Sequence, residues 1–439
     1  MTDDPRAPEE PRLIDELPPG IDSPGARGRF ARFAIDLSPL RDAPAFRWFW
    51  LGQAAKNFGG GITQVALLFQ IYELTGSTLA VAALSFVELV PLVTLTLLGG
   101  ALADAVDRRR LLLWTQVGMA VTGVGLLVNA AVASPQIWAC FVLAFFSSSF
   151  FCLGIGGMRS ITPRLVPPER LTAAIVLESI TSSFASVAGP AAGGLLIKSV
   201  GLTATYGIDL ATFVAGIASI FALPAIAPAE AAERPSLRSI VDGFRYVRRQ
   251  PVVLGFMLID VNAMVFGMPM ALFPAIATHK YGDATLVGYL YAAPYAGALV
   301  TSLASGWIPH VRRQGLAVAI AASCWGLAIA AFGFADTFWV GLVLLAIAGG
   351  ADDISAVFRS TIMLSATPEN MRGRLTGIEF MQVAAAPTLG NVEAGVVASL
   401  TSLRFSIVSG GIACVLGTVV VAAMFPALLR YDSKRDKLV

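Results

Sequence analysis

Seven charged side chains inside long apolar stretches are the residues of this chain that could carry chemistry. A charge near the centre of a bilayer is energetically costly, so each such residue is a functional candidate by default. Carboxylates in this setting suit proton exchange, and an ammonium group suits pairing with an acid or with an anionic substrate. The seven are Lys56, Glu88, Glu178, Asp260, Asp352, Asp353 and Glu379.

Three of these residues, Lys56, Glu88 and Asp260, lie near mid-depth. Lys56 lies about ten residues into the first apolar stretch, or roughly 15 Å along a helix. Glu88 has a similar depth in the second stretch, so we predict a Lys56–Glu88 pair. The pair is either a substrate or proton site that faces the cavity, or a structural ion pair between helices. Asp260, in the seventh stretch, is the first candidate for a proton-exchanging acid. The alternative is a buried acid that is hydrogen-bonded to neighbouring helices.

The other four acids lie near the ends of their stretches or beside a glycine pair. Glu178 and Glu379 occupy similar depths in the fifth and eleventh stretches, and Asp352 and Asp353 follow a Gly-Gly pair in the tenth. Adjacent helical residues point about 100° apart, so at most one of Asp352 and Asp353 faces a cavity. These acids serve either proton exchange or a gate that holds two halves of the molecule together.

Composition excludes most other functional classes. The chain is 56% hydrophobic and 14% charged, with a mean hydropathy of +0.72, whereas soluble proteins have about 25% charged residues. The four cysteines lie in apolar segments without a C-x-x-C, the two histidines are far apart, and there is no P-loop motif. We therefore predict a multi-span membrane protein that is not an enzyme, with no cofactor, metal site or nucleic-acid partner.

The apolar segments predict an all-α membrane protein of twelve transmembrane helices in two pseudo-symmetric six-helix halves. A span needs about 20 residues, and twelve segments reach that length. The predicted organisation is a disordered tail at 1–44, a first half at 45–226, a linker with an amphipathic helix at 227–250, a second half at 251–430 and a tail at 431–439.

The basic residues alternate between the two sides of these segments. Twenty-seven of the 31 Lys and Arg residues fall on one side; Lys198, Lys280 and Arg404 fall on the other, and Lys56 lies inside the first span. The positive-inside rule then predicts that both termini are cytoplasmic.

Short motifs recur in the same order in the two halves, at offsets of about 200 residues. Such a repeat predicts a substrate path at the interface of the halves, opened to either side by rocking. The matched motifs are Met158-Arg159-Ser160 with Phe358-Arg359-Ser360, Pro168-Glu169 with Pro368-Glu369, and Gly100-x-x-x-Asp104 with Gly306-x-x-x-His310.

The short basic hinge between the second and third spans resembles a signature of the major facilitator superfamily. Its residues are Gly100, Asp104, Arg108 and Arg109, in the order G-x-x-x-D-x-x-D-R-R. Closer similarity is to the branch that contains the bacterial enterobactin exporter. That similarity is carried by TGSTLAVAAL (75–84), GPAAGGLL (189–196), SLRSIVDGFRYV (236–247), VGYLYAAPYAGA (287–298) and TPENMRGRLTGI (367–378).

The chain departs from that branch at several positions. Ala105 and Asp107 replace residues that are often Arg and Gly in the signature. Gly59-Gly60 stands where these exporters often carry an acid after the glycine, and Ile175 stands where they often carry Asn.

The resemblance implies a secondary transporter of the inner or plasma membrane that exports a small organic molecule by alternating access in exchange for protons. A siderophore-like substrate is the leading expectation, with protons and membrane lipid as partners of a monomer. The resemblance also implies that Asp104 with Arg108 and Arg109 forms a cytoplasmic gate. The alternatives are a carrier of lipophilic drugs or lysolipids on the same fold and a transport-inactive membrane receptor.

Overall fold

The computed structural model describes residues 36–159, 161–221, 223 and 237–432. Within these ranges, the side chains at 97, 100, 101, 103–105, 159, 237–242, 309, 369, 370, 373 and 374 lie outside the description. The described part of the chain is helical and has no strand.

Twelve helices of 13 residues or more, numbered α1 to α12 in chain order, form the described part of the fold. They are α1 (Pro44–Thr75), α2 (Thr78–Ala105), α3 (Arg108–Ala131), α4 (Ile137–Arg159), α5 (Leu171–Phe221), α6 (Leu237–Arg249), α7 (Pro251–Phe266), α8 (Val287–Leu303), α9 (Gln314–Phe334), α10 (Phe338–Ala366), α11 (Glu369–Leu400) and α12 (Leu403–Met424). Shorter helical pieces lie at Ser38–Asp42, Thr162–Leu165, Pro168–Arg170, Met270–Leu272, Phe273–Ala275, Ile276–Lys280, Ala284–Leu286, Ser305–His310 and Pro426–Arg430.

Local sequence explains the tight turn between α1 and α2. Gly76 ends α1 with φ 62°, a left-handed conformation that costs glycine little. Ser77 then caps α2, its Oγ accepting from the Ala80 N–H at 3.3 Å. We call this side of the molecule the Gly76 end, and the opposite side, where α2 meets α3, the Arg109 end.

Helix α5 is much longer than a bilayer requires, and it contains a break. It runs for 51 residues, whereas a span needs about 20. At Gly201 the backbone leaves the helical region, with φ 83° and ψ 169°. The break therefore divides α5 into one helical segment before Gly201 and another after it.

Helix packing follows one scheme in the first half (α1–α5) and in the second half (α7–α12). In the first half α1 packs on α5, α2 on α4, and α3 on both α4 and α5. In the second half α7 packs on α11, α8 on α10, and α9 on both α10 and α12. The halves meet where α2 packs on α11 and α5 on α8, so four helices border the space between them.

By length and composition, ten helical stretches of the described chain can cross a membrane. They do not include α1, and Pro168–Phe221 counts as one stretch. The all-helical membrane architecture predicted from hydropathy is confirmed at this coarser level.

The ends of the predicted halves differ in detail from expectation. Residues 38–42 of the predicted disordered tail form a helix, and Asp42 pairs with Arg170 at the start of α5. Residues 1–35 and 433–439 lie outside the described residues. In the predicted linker, α6 buries Val247, and the Tyr246 hydroxyl donates to the Ala366 carbonyl at 3.1 Å, so α6 is tied to the last turn of α10.

Candidate functional site

A cavity of about 400 Å³ lies between the two halves and is lined by both. Two carboxylates, Glu88 and Asp209, line it from the first half, and Tyr291 and Asn391 line it from the second. Its wall combines leucines with hydroxyl and amide groups. The further polar lining residues are Thr63, Gln64, Ser85, Thr122, Ser147, Ser148 and Thr388.

Glu88 is partly buried and is the less buried of the two carboxylates in this cavity. Its carboxylate makes no hydrogen bond or ion pair with any described side chain, and only its backbone carbonyl is engaged, by the Ser148 hydroxyl at 3.2 Å. The Asn391 amide bridges the halves nearby, donating to Ser85 Oγ at 3.3 Å and accepting from the Ala271 N–H at 3.0 Å.

Asp209, on the second segment of α5, is the other carboxylate of the cavity and is held in place. It is 2% exposed and accepts a hydrogen bond from Thr63 Oγ1 at 2.5 Å and one from Thr212 Oγ1 at 3.2 Å. A Cβ at Gly59 would lie 2.3 Å from Asp209 Oδ1. The absence of a side chain at position 59 therefore leaves the space that the carboxylate fills.

Lys56 is buried beside this acid and not beside Glu88. It is 7% exposed, and the charge that acts on it is that of Asp209. Lys56 lines a second cavity of about 300 Å³, together with Asn57 and Tyr295. The predicted Lys56–Glu88 pair does not form. Similar depth was its only basis, and the acid whose charge acts on the lysine is Asp209 of α5.

In the second half, Asp260 sits at the meeting point of α7, α10 and α11. It is 2% exposed and forms an ion pair with Arg359, which is 7% exposed. Gln382 Nε2 donates to the other carboxylate oxygen at 2.7 Å and to the Met257 carbonyl at 3.2 Å. Arg359 also donates to Ser355 Oγ at 3.2 Å. This arrangement matches the alternative reading of Asp260, a buried acid bonded to neighbouring helices.

The two adjacent acids of α10 point in different directions, as their spacing predicts. Asp352 lies 3.8 Å from Arg359, at the edge of the Asp260 ion pair. Asp353 instead accepts hydrogen bonds from Thr301 and Ser302 of α8, at distances of 2.9–3.0 Å. Asp352 therefore belongs to the charge cluster, and Asp353 ties α10 to α8.

The remaining predicted acids, Glu178 and Glu379, are partly buried in separate places. Glu178 accepts a hydrogen bond from Thr162 and lines a third cavity, of about 240 Å³, together with Gln53 of α1. Glu379 is within the electrostatic reach of Arg359 and Asp260. Sequence reasoning placed these two acids at equivalent depths, but the structure gives them different partners.

At the hinge between α2 and α3, Asp107 and Arg109 make structural contacts. Asp107 Oδ1 caps α3, accepting from the Arg110 N–H at 2.9 Å. Arg109 donates to the Ile220 carbonyl at 3.3 Å and to the Phe221 carbonyl at 2.8 Å, which covers the last turn of α5. Arg108 is 5% exposed. The surroundings of Gly100 and the side chain of Asp104 lie outside the described part of the structure. The predicted gate motif therefore stays a prediction.

At the Gly76 end the two halves approach closely. A Cβ at Gly194 would lie 2.5 Å from the Thr285 carbonyl oxygen, and a Cβ at Gly395 would lie 2.5 Å from Ala82 Cβ. Lys198 Nζ pairs with Asp283 Oδ2 at 2.6 Å across the same contact. The space between the halves is therefore closed at this end.

The Lys198–Asp283 pair predicts a specific pH dependence of stability. The hydrogen bond from Lys198, followed by that from Thr285, lowers the pKa of Asp283 to about 2. A lowered carboxyl pKa stabilises the folded state above the ordinary value near 4, and the effect disappears as pH falls through about 2. Because Lys198 is 59% exposed, the pair contributes at most about 1 kcal/mol.

Chemical unfolding in detergent checks this expectation. The difference in the free energy of unfolding between the wild type and Lys198→Ala is expected to stay constant from pH 7 to pH 4 and to shrink towards pH 2. A difference that already vanishes at pH 5 would contradict the assignment.

Sequence reasoning missed Asp209 and misplaced Arg359. Asp209 is an acid within a long apolar stretch, so the rule that selected Glu88 applies to it as well. Arg359 was counted among the loop arginines because it ends the predicted tenth span, and its burial against Asp260 corrects that assignment. Its partner Gln382 gives no sequence signal of its own.

Solved structures with the same fold include transporters. The nucleoside transporter NupG superimposes with a TM-score of 0.69 and 14% identity, covering 88% of this chain and 100% of that chain. An inward-facing bacterial homologue of the human lysosomal transporter Spinster gives a TM-score of 0.67 and 13% identity, covering 88% and 96%. At 13–14% identity, the similarity to these structures establishes a shared fold and nothing more specific.

The family follows from the sequence itself. Residues 34–436 match the family described as transmembrane secretion effectors, and the chain belongs to that family. The enterobactin exporter EntS of Citrobacter koseri (strain ATCC BAA-895) is 29% identical over 396 residues, which covers 90% of this chain and 94% of that protein. EntS of Escherichia coli O139:H28 is 29% identical over 391 residues, covering 89% and 94%. These findings confirm the predicted superfamily and the predicted branch, and identify a multi-pass inner-membrane transporter.

Proposed function

We propose that this protein exports a small organic molecule across the inner membrane by alternating access, in exchange for protons. The observation that carries the proposal is the cavity of about 400 Å³ that both halves line and that contains Glu88 and Asp209. A site of this size between two similarly packed bundles suits a small organic ligand.

Twelve membrane spans in two six-helix halves fit this mechanism. The break at Gly201 divides α5 into two spans, α1 is long enough to be the first, and α6 is too short and too basic to cross. With this count, and with the buried Arg359 left out, the sequence assigns 26 of the 31 Lys and Arg residues to the Arg109 end, so we assign that end and both termini to the cytoplasm.

In the proposed cycle, substrate enters from the cytoplasm while the Gly76 end is closed. Rocking of the halves would then separate Gly194 from the start of α8 and Gly395 from α2, which opens the outer side. Closure at the cytoplasmic side would involve Asp104, Arg108 and Arg109 together with Glu178 and Glu379. Release of a proton from a cavity carboxylate would accompany substrate binding, and Glu88 is favoured for this step because it has no competing partner.

A siderophore-like molecule is the first substrate to test, because the relatives are named enterobactin exporters. The experiment uses purified protein in liposomes with an imposed pH gradient and a panel of siderophores. Proton-coupled movement of a siderophore supports the proposal. Movement of lysolipid or lipophilic drug instead would indicate the alternative carrier, and binding without movement would indicate a receptor.

A further inference from the structure

The charges that line the central cavity do not balance. Two carboxylates, Glu88 and Asp209, line the cavity of about 400 Å³, and no Lys, Arg or His is among the lining residues that the structure describes. Lys56 lines the neighbouring cavity, and its charge interacts with that of Asp209. Lys56 and Asp209 therefore offset each other, and the charge of Glu88 remains in excess.

Arg359, a buried arginine of the second half, does not supply the missing charge. Arg359 is engaged by Asp260 and lies close to Asp352, and it does not line this cavity. Since Glu88 has no hydrogen-bond or ion-pair partner among the described side chains, an ammonium or similar group of a ligand is the natural counter-charge. Without a counter-charge, an acid in a low-dielectric site is held in its protonated form, so a cationic ligand group can replace that proton and pair with the carboxylate.

Aromatic rings line the same cavity as Glu88. Tyr291, Phe151 and Phe213 line the cavity that contains Glu88. The Tyr291 hydroxyl is committed to the Met270 carbonyl at 2.7 Å, so its orientation is fixed. A carboxylate together with aromatic faces is a setting that favours organic cations, through Coulomb attraction and cation–π contact.

We propose that the exported molecule carries a positively charged, ammonium-type group on a largely apolar body, and that this group binds beside Glu88. The proposal rests on the proposed export function and narrows its substrate class. The proposal excludes purely anionic ligands. Such ligands were the expectation from the ammonium group of Lys56 considered by itself. The hydroxyl and amide groups of the cavity, among them Gln64 and Asn391, are then available to hydrogen-bond the uncharged part of the ligand.

Two probes of the same shape and opposite charge test the proposal. Tetraphenylphosphonium is the cation and tetraphenylborate is the anion, and their binding to the detergent-purified full chain is measured by calorimetry. The variants are Glu88→Gln and, as a matched control, Glu393→Gln, since Glu393 is a partly buried acid of α11 that does not line the cavity.

We expect the wild type and Glu393→Gln to bind the cation, and Glu88→Gln to bind it at least roughly tenfold more weakly. The anion should bind weakly to the wild type and no more weakly to Glu88→Gln. Equal binding of both ions by the wild type, or unchanged cation binding by Glu88→Gln, would overturn the proposal.

The liposome assay separates this result from the export function. Proton-coupled movement of a purely anionic siderophore would leave export standing and overturn the cationic substrate class. Glu88-dependent binding of the cation without movement of any compound would support the cation site and contradict export.

Discussion

Arg359→Ala is expected to destabilise the folded protein by about 3–5 kcal/mol, because the substitution leaves the buried carboxylate of Asp260 without its counter-charge. Asp260 is 2% exposed and would retain only the hydrogen bond from Gln382. Asp352 would lose the same neighbour, 3.8 Å away. Thermal unfolding of the detergent-purified variant measures the effect.

A neutral replacement of the whole pair is the control for this prediction. The double variant Asp260→Asn with Arg359→Gln keeps similar volumes and removes both charges, so it should recover most of the stability that Arg359→Ala loses. Wild-type thermal stability of Arg359→Ala, or a double variant as unstable as Arg359→Ala, would show that this ion pair does not hold α7 to α10.

Glu88→Gln is expected to abolish proton-coupled transport while leaving the fold intact. The carboxylate has no partner in the described structure, so its replacement by an amide of similar shape breaks no contact. It does remove the group that can release and take up a proton within the cavity. The measurement is the pH change inside proteoliposomes when a substrate of the wild-type protein is added.

Glu393→Gln is the matched control for Glu88→Gln, because it removes a partly buried acid outside the cavity. It should transport like the wild type. If Glu88→Gln also transports like the wild type, a different acid exchanges protons, and Asp209 becomes the next candidate in this cavity.

The general architecture could be predicted from the sequence because its determinants are local. Apolar length sets where a helix can cross the bilayer, and the cost of moving basic residues across it sets the alternation of charge. Turn residues act in the same local way: Gly76, Ser77 and Asp107 end or begin helices through their own backbone and side-chain bonds. These features need no knowledge of neighbouring helices.

The pairing of charges could not be predicted in this way. Depth along a span gives one coordinate, but the rotation of each helix and the identity of its neighbours decide which side chains meet. Lys56 and Glu88 share a depth, yet Asp209 of α5 is the acid that acts on Lys56. The fit of Asp209 into the space beside Gly59 becomes visible only when α1 and α5 are seen together.

Reversible locking of the Gly76 end tests alternating access most directly. Ala82→Cys with Gly395→Cys places two thiols across the α2–α11 contact, where a Cβ added at Gly395 would lie 2.5 Å from Ala82 Cβ. A disulfide needs a Cβ–Cβ distance of about 3.5–4.5 Å, so the two helices must separate by about 1–2 Å to form it. Cys324→Ser removes the exposed native cysteine; the other three native cysteines are buried. Oxidation is expected to stop pH-gradient-driven export in proteoliposomes and reduction to restore it. Export by the same double-cysteine protein under reducing conditions is the reference, because a side chain at position 395 by itself displaces Ala82. Undiminished export by the fully cross-linked protein would contradict alternating access between these halves.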